Sequence, residues 1–112
     1  MQGLSLGSLV DEHLALARDH DSGRSAVTIH GGREHHLRQT LIALAGGRAL
    51  GEHQSPGEAT LQVLRGRVRL HAGDDEWEGA AGDFVLIPAR RHDLTALEDA
   101  AVLLTVTNRL AD

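Results

Sequence analysis

The chain contains no cysteine, which removes disulfides, thiolate metal ligands and cysteine nucleophiles together. No apolar run approaches the roughly 18 residues that a membrane-spanning helix requires. The N-terminal residues lack the basic stretch and following apolar run that would mark a secretory signal. Glycine-rich phosphate loops of the GxGxxG and GxxxxGK[ST] types are missing. Ser55 has a histidine two residues away but no nucleophile-elbow context, so a hydrolase triad has no support. These absences lead to the expectation of a cytoplasmic protein with no membrane partner.

The sequence is 112 residues long, 41% hydrophobic, and carries a formal charge of −5 with its acids dispersed. That length suits one domain, and the apolar content is enough for a core without disulfides. An acidic chain lacks the basic face needed to neutralise nucleic-acid phosphates, so no nucleic-acid partner is expected. Arg65, Arg67 and Arg69 come nearest to such a face. Their period-two spacing puts them on one side of a strand, and the plainer reading is a solvated face. Eight histidines are enough to reverse the net charge as pH falls through their range, which bears on solubility.

Residues 5–20 form the one convincing helix. Leu6, Leu9, Val10, His13, Leu14 and Ala17 recur at helical spacing as an apolar stripe. Ser5 or Ser8 can cap the start, Asp11 and Glu12 lie early where the dipole favours negative charge, and Asp21-Ser22-Gly23 ends it. Such a helix either packs on the outside of the remaining domain, the preferred reading, or acts as a lid or dimer-bridging arm. The division expected is residues 1–22 for this helix and 23–112 for a β domain.

After Gly23 short runs rich in Val, Leu, Ile and Thr alternate with glycine-bearing turns. Strands are expected over 26–30, 37–45, 59–64, 68–71, 84–87, 93–97 and 102–107. Many short strands and no second helix argue for an all-β sandwich or barrel. Leu41–Leu44 and Ala101–Val106 are almost continuously apolar, as in strands covered on both faces. A second subunit is one candidate for the outer cover. Trp77, the single tryptophan, stands among four acids (Asp74, Asp75, Glu76 and Glu78) and is expected to pack on a hairpin beside a solvated turn.

Two stretches carry most of the functional information. One runs from Gly47 to Gly66 as G-R-A-L-G-E-H-Q-S-P-G-E-A-T-L-Q-V-L-R-G, the other from Gly82 to His92 as G-D-F-V-L-I-P-A-R-R-H. They resemble the two motifs of a small single-domain cupin, and the similarity extends over about residues 37–107. The resemblance implies an all-β cupin jelly-roll barrel with one N-terminal helix, and a homodimer. It also implies a metal held by two histidines and a glutamate from the first motif and one histidine from the second. The first-motif positions here hold His53, Ser55 and Ala59. The second-motif position falls to His92, after a corner one residue shorter than the commoner pattern and with Arg90 in place of a glycine, or else to Asp93; the first is preferred. His53 and His92 are thus the candidate ligands for one divalent transition metal (Fe, Mn, Ni or Zn). Ser55 is a poor ligand and Ala59 offers no donor. Rescue would have to come from His30, His35, His36, Gln39 or another neighbour.

Two readings follow. In one, His53, Ser55, Arg90 and His92 line a pocket for a small-molecule ligand, near a metal site that has lost donors. In the other, the chain is a metal-dependent dioxygenase or isomerase with a non-standard ligand set. A regulatory module joined to a helix-turn-helix domain is disfavoured, because no basic recognition helix is present.

Overall fold

A computed structural model describes residues 1–54 and 57–107. Helix α1 (Leu6–Asp19) precedes nine strands: β1 (Arg24–His30), β2 (Leu37–Leu44), β3 (Ala49–His53), β4 (Glu58–Arg65), β5 (Arg67–Ala72), β6 (Asp75–Ala80), β7 (Phe84–Leu86), β8 (His92–Ala96) and β9 (Ala100–Thr107). They form two antiparallel sheets, ordered β1-β2-β9-β4-β7 and β3-β8-β5-β6. Alternation sends every second side chain inward. Ile42, Leu44, Leu61, Val63, Val68, Leu70, Leu94 and Val102 therefore meet between the sheets as the main core. This is the jelly-roll arrangement of a cupin barrel.

Ser5 caps α1, its hydroxyl accepting the Ser8 amide at 3.1 Å. No acid lies in the first turn, so Asp11 and Glu12 stand one turn too late to serve the helix dipole, which acts over the terminal turn. Asp11 instead pairs with Arg65. The buried stripe Val10, Leu14 and Ala17 packs on Leu41, Ala43 and Ala101. The chain's own helix therefore covers the outer side of these segments at Leu41, Ala43 and Ala101. His13 closes the contact sideways, its Nδ1 2.7 Å from Ser25 Oγ on β1.

Three sequence expectations change. The acidic segment after Gly73 is a strand, β6, because Glu76 and Glu78 face the arginines of β5 while Trp77 turns to the core. The Trp77 ring lies where a Cβ on Gly79 would fall, only 2.1 Å away, so only glycine admits it. Arg65 does not share a strand with Arg67 and Arg69, since Gly66 turns the chain between β4 and β5. Gly66 has φ +77°, and a Cβ there would sit 2.1 Å from the Asp99 carbonyl oxygen, so both conformation and space require glycine. Residues 49–53, absent from the expected strands, form β3 at the edge of the smaller sheet.

Candidate functional site

The candidate site is built at the end of the barrel where β3 finishes and β8 begins. Leu50 pairs with Leu94, as the inward alternation of both strands requires. Strict period-two continuation would bring residue 52 level with His92. A register shift between Leu50 and His53 adds a residue, and His53 becomes the partner of His92. Bulges of this kind re-aim a strand where pairing alone would not. The backbones of residues 53 and 92 are thus register partners on adjacent strands. Ser55 lies outside the described residues.

His92 is 2% exposed and is the one polar residue among those buried in the described structure. Its Nδ1 lies 2.8 Å from the Arg90 carbonyl oxygen. A carbonyl only accepts, so Nδ1 carries a hydrogen. The short corner after Pro88 therefore fixes the orientation of the His92 ring. Asp93 points the other way, 3.7 Å from His71 Nδ1 on the outer face. His92 shares a cavity of about 20 Å³ with Ile42, Leu50, Leu61, Leu94 and Leu104, among others. That volume admits about one water-sized group. The interior is otherwise filled by leucine and isoleucine side chains.

The remaining predicted residues lie elsewhere. Ala59 is buried on the inner face, where it brings no donor. Arg90 is exposed, paired with Asp75, and lines an outer hollow of about 320 Å³ with Glu52, His71, Gly73 and Arg91. It meets His92 through its backbone carbonyl and not its guanidinium. His30 at the end of β1 and His35 in the β1–β2 loop have ring centroids 4.6 Å apart, with His35 beside Glu34. Gln39 donates to Thr105 Oγ1 at 3.3 Å. None of these lines the cavity around His92.

The outer face of the smaller sheet is a ladder of opposite charges. Arg67 and Arg69 both reach Glu78, and Arg69 also approaches Glu76. The hydrogen bond from Arg69 lowers the Glu78 pKa, and Glu78 raises that of Arg69. These arginines are neutralised within the sheet, which agrees with the solvated-face reading.

A metal bound in the usual cupin manner needs at least three protein donors. Among the described residues no group of three or more His, Asp or Glu side chains is placed to hold an ion. Ala59 has no donor atom, so the ligand set that the family resemblance implies is incomplete at that position.

The fold and this site define the class: a jelly-roll barrel with a histidine at its inner end, as in cupins. The sequence profile of the cupin domain family matches residues 40–107, and the chain belongs to that family. Among solved structures it is similar to a conserved protein of unknown function from Streptococcus pyogenes, 27% identical, with TM-score 0.73 and coverage of 82% of this chain and 80% of that one. A cupin superfamily protein from Desulfitobacterium hafniense gives TM-score 0.71 at 15% identity, covering 77% and 78% of the two chains. A cupin 2 conserved barrel domain protein from Salinispora arenicola gives 0.70 at 19%, covering 96% and 89%. No curated protein matches the chain in sequence. No helix among the described residues is long and apolar enough to cross a membrane.

Proposed function

We propose that this chain is a small-molecule-binding cupin in which His92 receives one hydrogen-bond donor of its ligand. The observation that carries this reading is that His92, the one buried polar residue among those described, lines an apolar cavity with Ile42, Leu50, Leu61, Leu94 and Leu104. A polar ring in apolar surroundings favours an O–H or N–H of a ligand strongly, because water competes poorly there. The small cavity restricts the group that enters to one or two heavy atoms, so the body of the ligand stays outside the core. His53, in register with His92, belongs to the same end of the barrel.

The test is a thermal-shift panel of small alcohols, amides and amines on wild type and His92→Leu. The expected hits stabilise wild type and lose their effect in the variant. Hits that stabilise both proteins equally would overturn the reading. Elemental analysis after loading with iron, manganese, nickel and zinc is expected to find far less than one equivalent per chain. A full equivalent that disappears in His92→Leu would favour the metal-enzyme alternative instead.

We also propose that the chain forms a homodimer through the outer face of the larger sheet beyond α1. Phe84 and Leu86 are 58% and 71% exposed on edge strand β7, and Leu37 is 40% exposed on the same outer face. Exposed apolar side chains on an edge strand are a liability unless something covers them. A second copy brings the same surface and suits a two-fold contact.

A further inference from the structure

The five-stranded sheet is wider than the four-stranded sheet opposite, and β1 is its outermost strand. Strand β1 therefore overhangs. Arg24, Ala26 and Thr28 share the inner face with Leu44, Ile42 and Thr40, their register partners, yet all three are exposed. The alternate residues Ser25, Val27 and Ile29 are half-buried. The side of β1 that faces inward is thus the open one. It borders a groove of about 430 Å³ lined by Ala26, Ile42 and Leu50 and by polar residues that include Arg24, His20 and Thr40.

Arg24 brings a positive charge to that groove. Every basic side chain apart from histidine is an arginine, since the sequence has no lysine. Arg18, Arg65, Arg67, Arg69, Arg90 and Arg91 all form salt bridges. Arg24 forms none among the described residues, and neither do Arg33, Arg38 and Arg48. Arg48 lies next to Arg24, its Cγ 2.4 Å from the place a Cβ on Gly23 would occupy. Asp19 and Asp21, the nearest acids in sequence, reach neither guanidinium. The Arg24 backbone is held from the other side, its carbonyl 3.0 Å from His20 Nδ1.

We propose that this groove binds a small carboxylate with a short aliphatic body. The guanidinium of Arg24 takes the carboxylate, which it matches in planar, two-pronged geometry. The aliphatic part lies on Ala26, Ile42 and Leu50. A groove that combines these apolar side chains with a cation outside any salt bridge is complementary to that amphipathic anion. Ile42 and Leu50 also line the His92 cavity, so the groove adjoins it. The two proposals are nevertheless independent, since the groove makes no use of His92.

The experiment is a methyl-NMR titration with sodium hexanoate at constant ionic strength. Saturable shifts are expected at the methyls of Ala26, Ile42 and Leu50. Arg24→Gln should weaken binding by about tenfold, as for loss of one charge-assisted hydrogen bond. Hexanamide, which keeps the aliphatic body but not the charge, should bind weaker by a similar factor. Ala26→Phe should abolish the shifts while the spectrum remains that of a folded protein. His92→Leu should leave hexanoate binding unchanged, which separates failure here from failure of the His92 proposal. The inference is overturned if Arg24→Gln binds as wild type does, if the shifts fall instead at the Leu37 methyls beside Arg38, or if no saturable shift occurs. In the last case, an Ala26→Glu variant that converts a dimer to a monomer would place a second copy in the groove.

Discussion

At the residue scale, Asp99 shows how one carboxylate joins parts of the chain far apart in sequence. Its Oδ1 accepts the Gly46 amide at 2.8 Å, and its Oδ2 accepts Arg18 Nε at 2.7 Å. The β8–β9 turn is thereby tied to the β2–β3 turn and to the end of α1. The Gly46 amide, followed by the Arg18 guanidinium, holds its carboxyl below the usual carboxylate range. A depressed folded-state pKa contributes stability above the unfolded value and loses it as pH falls through the folded one. Asp99→Ala is expected to cost about 1 kcal/mol at neutral pH, discounted because the pair is partly exposed. Its destabilisation relative to wild type should shrink in acid, below about pH 4. Urea melts at several pH values check this, and a constant difference down to the acid limit would refute it.

His92 belongs to the same scale. Its position in the second motif was legible from sequence, because Gly82, Pro88 and the histidine lie in the familiar order. Its ring orientation was not, since that depends on where the Arg90 carbonyl turns. Arg90 shows the same limit: its guanidinium goes to Asp75, and its backbone carbonyl is what meets the histidine.

At the element scale, α1 determines how the larger sheet is covered. Leu14 is 2% exposed over Leu41, Ala43 and Ala101, and Ala17 is fully buried beside it. Leu14→Ala should cost about 2–4 kcal/mol, as for other buried leucines truncated in a packed core. Chemical denaturation monitored at Trp77 measures it, and a cost near zero would mean that the helix is not docked in solution. Periodicity located this helix within one residue at each end, because an amphipathic stripe is a local property. The same stripe could not say which strands it packs on, so a second subunit stood as one candidate cover for the apolar runs in β2 and β9. Strand β6 was obscured by its acids, which are in place only because Arg67 and Arg69 lie across from them.

At the scale of the whole molecule, the exposed edge at β7 and the open flank at β1 lie at opposite ends of one sheet order. The homodimer proposal concerns the first and the carboxylate proposal the second. Light scattering is expected to give about twice the mass of one chain. Phe84→Glu with Leu86→Glu should bring it to the monomer mass, since like charges brought together in an apolar contact are strongly unfavourable. A wild-type monomer at micromolar concentration would refute the dimer. A dimer that survives both substitutions would place the contact elsewhere, and the β1 flank would be the next surface to test.

Taken by itself, the sequence determined the elements and the family: the amphipathic helix, most of the strands, the glycine turns and the two motifs are patterns of near neighbours, governed by periodicity and turn chemistry. It also determined that the donor set is short, because Ala59 has no donor in any fold. Tertiary structure alone decided which faces are covered and which residues meet. The shift that brings His53 level with His92, the leucines that fill the barrel, and the overhang that leaves Arg24 beside an open groove all come from strands distant in sequence. Their relative register is set by packing between two sheets, and no local pattern encodes it.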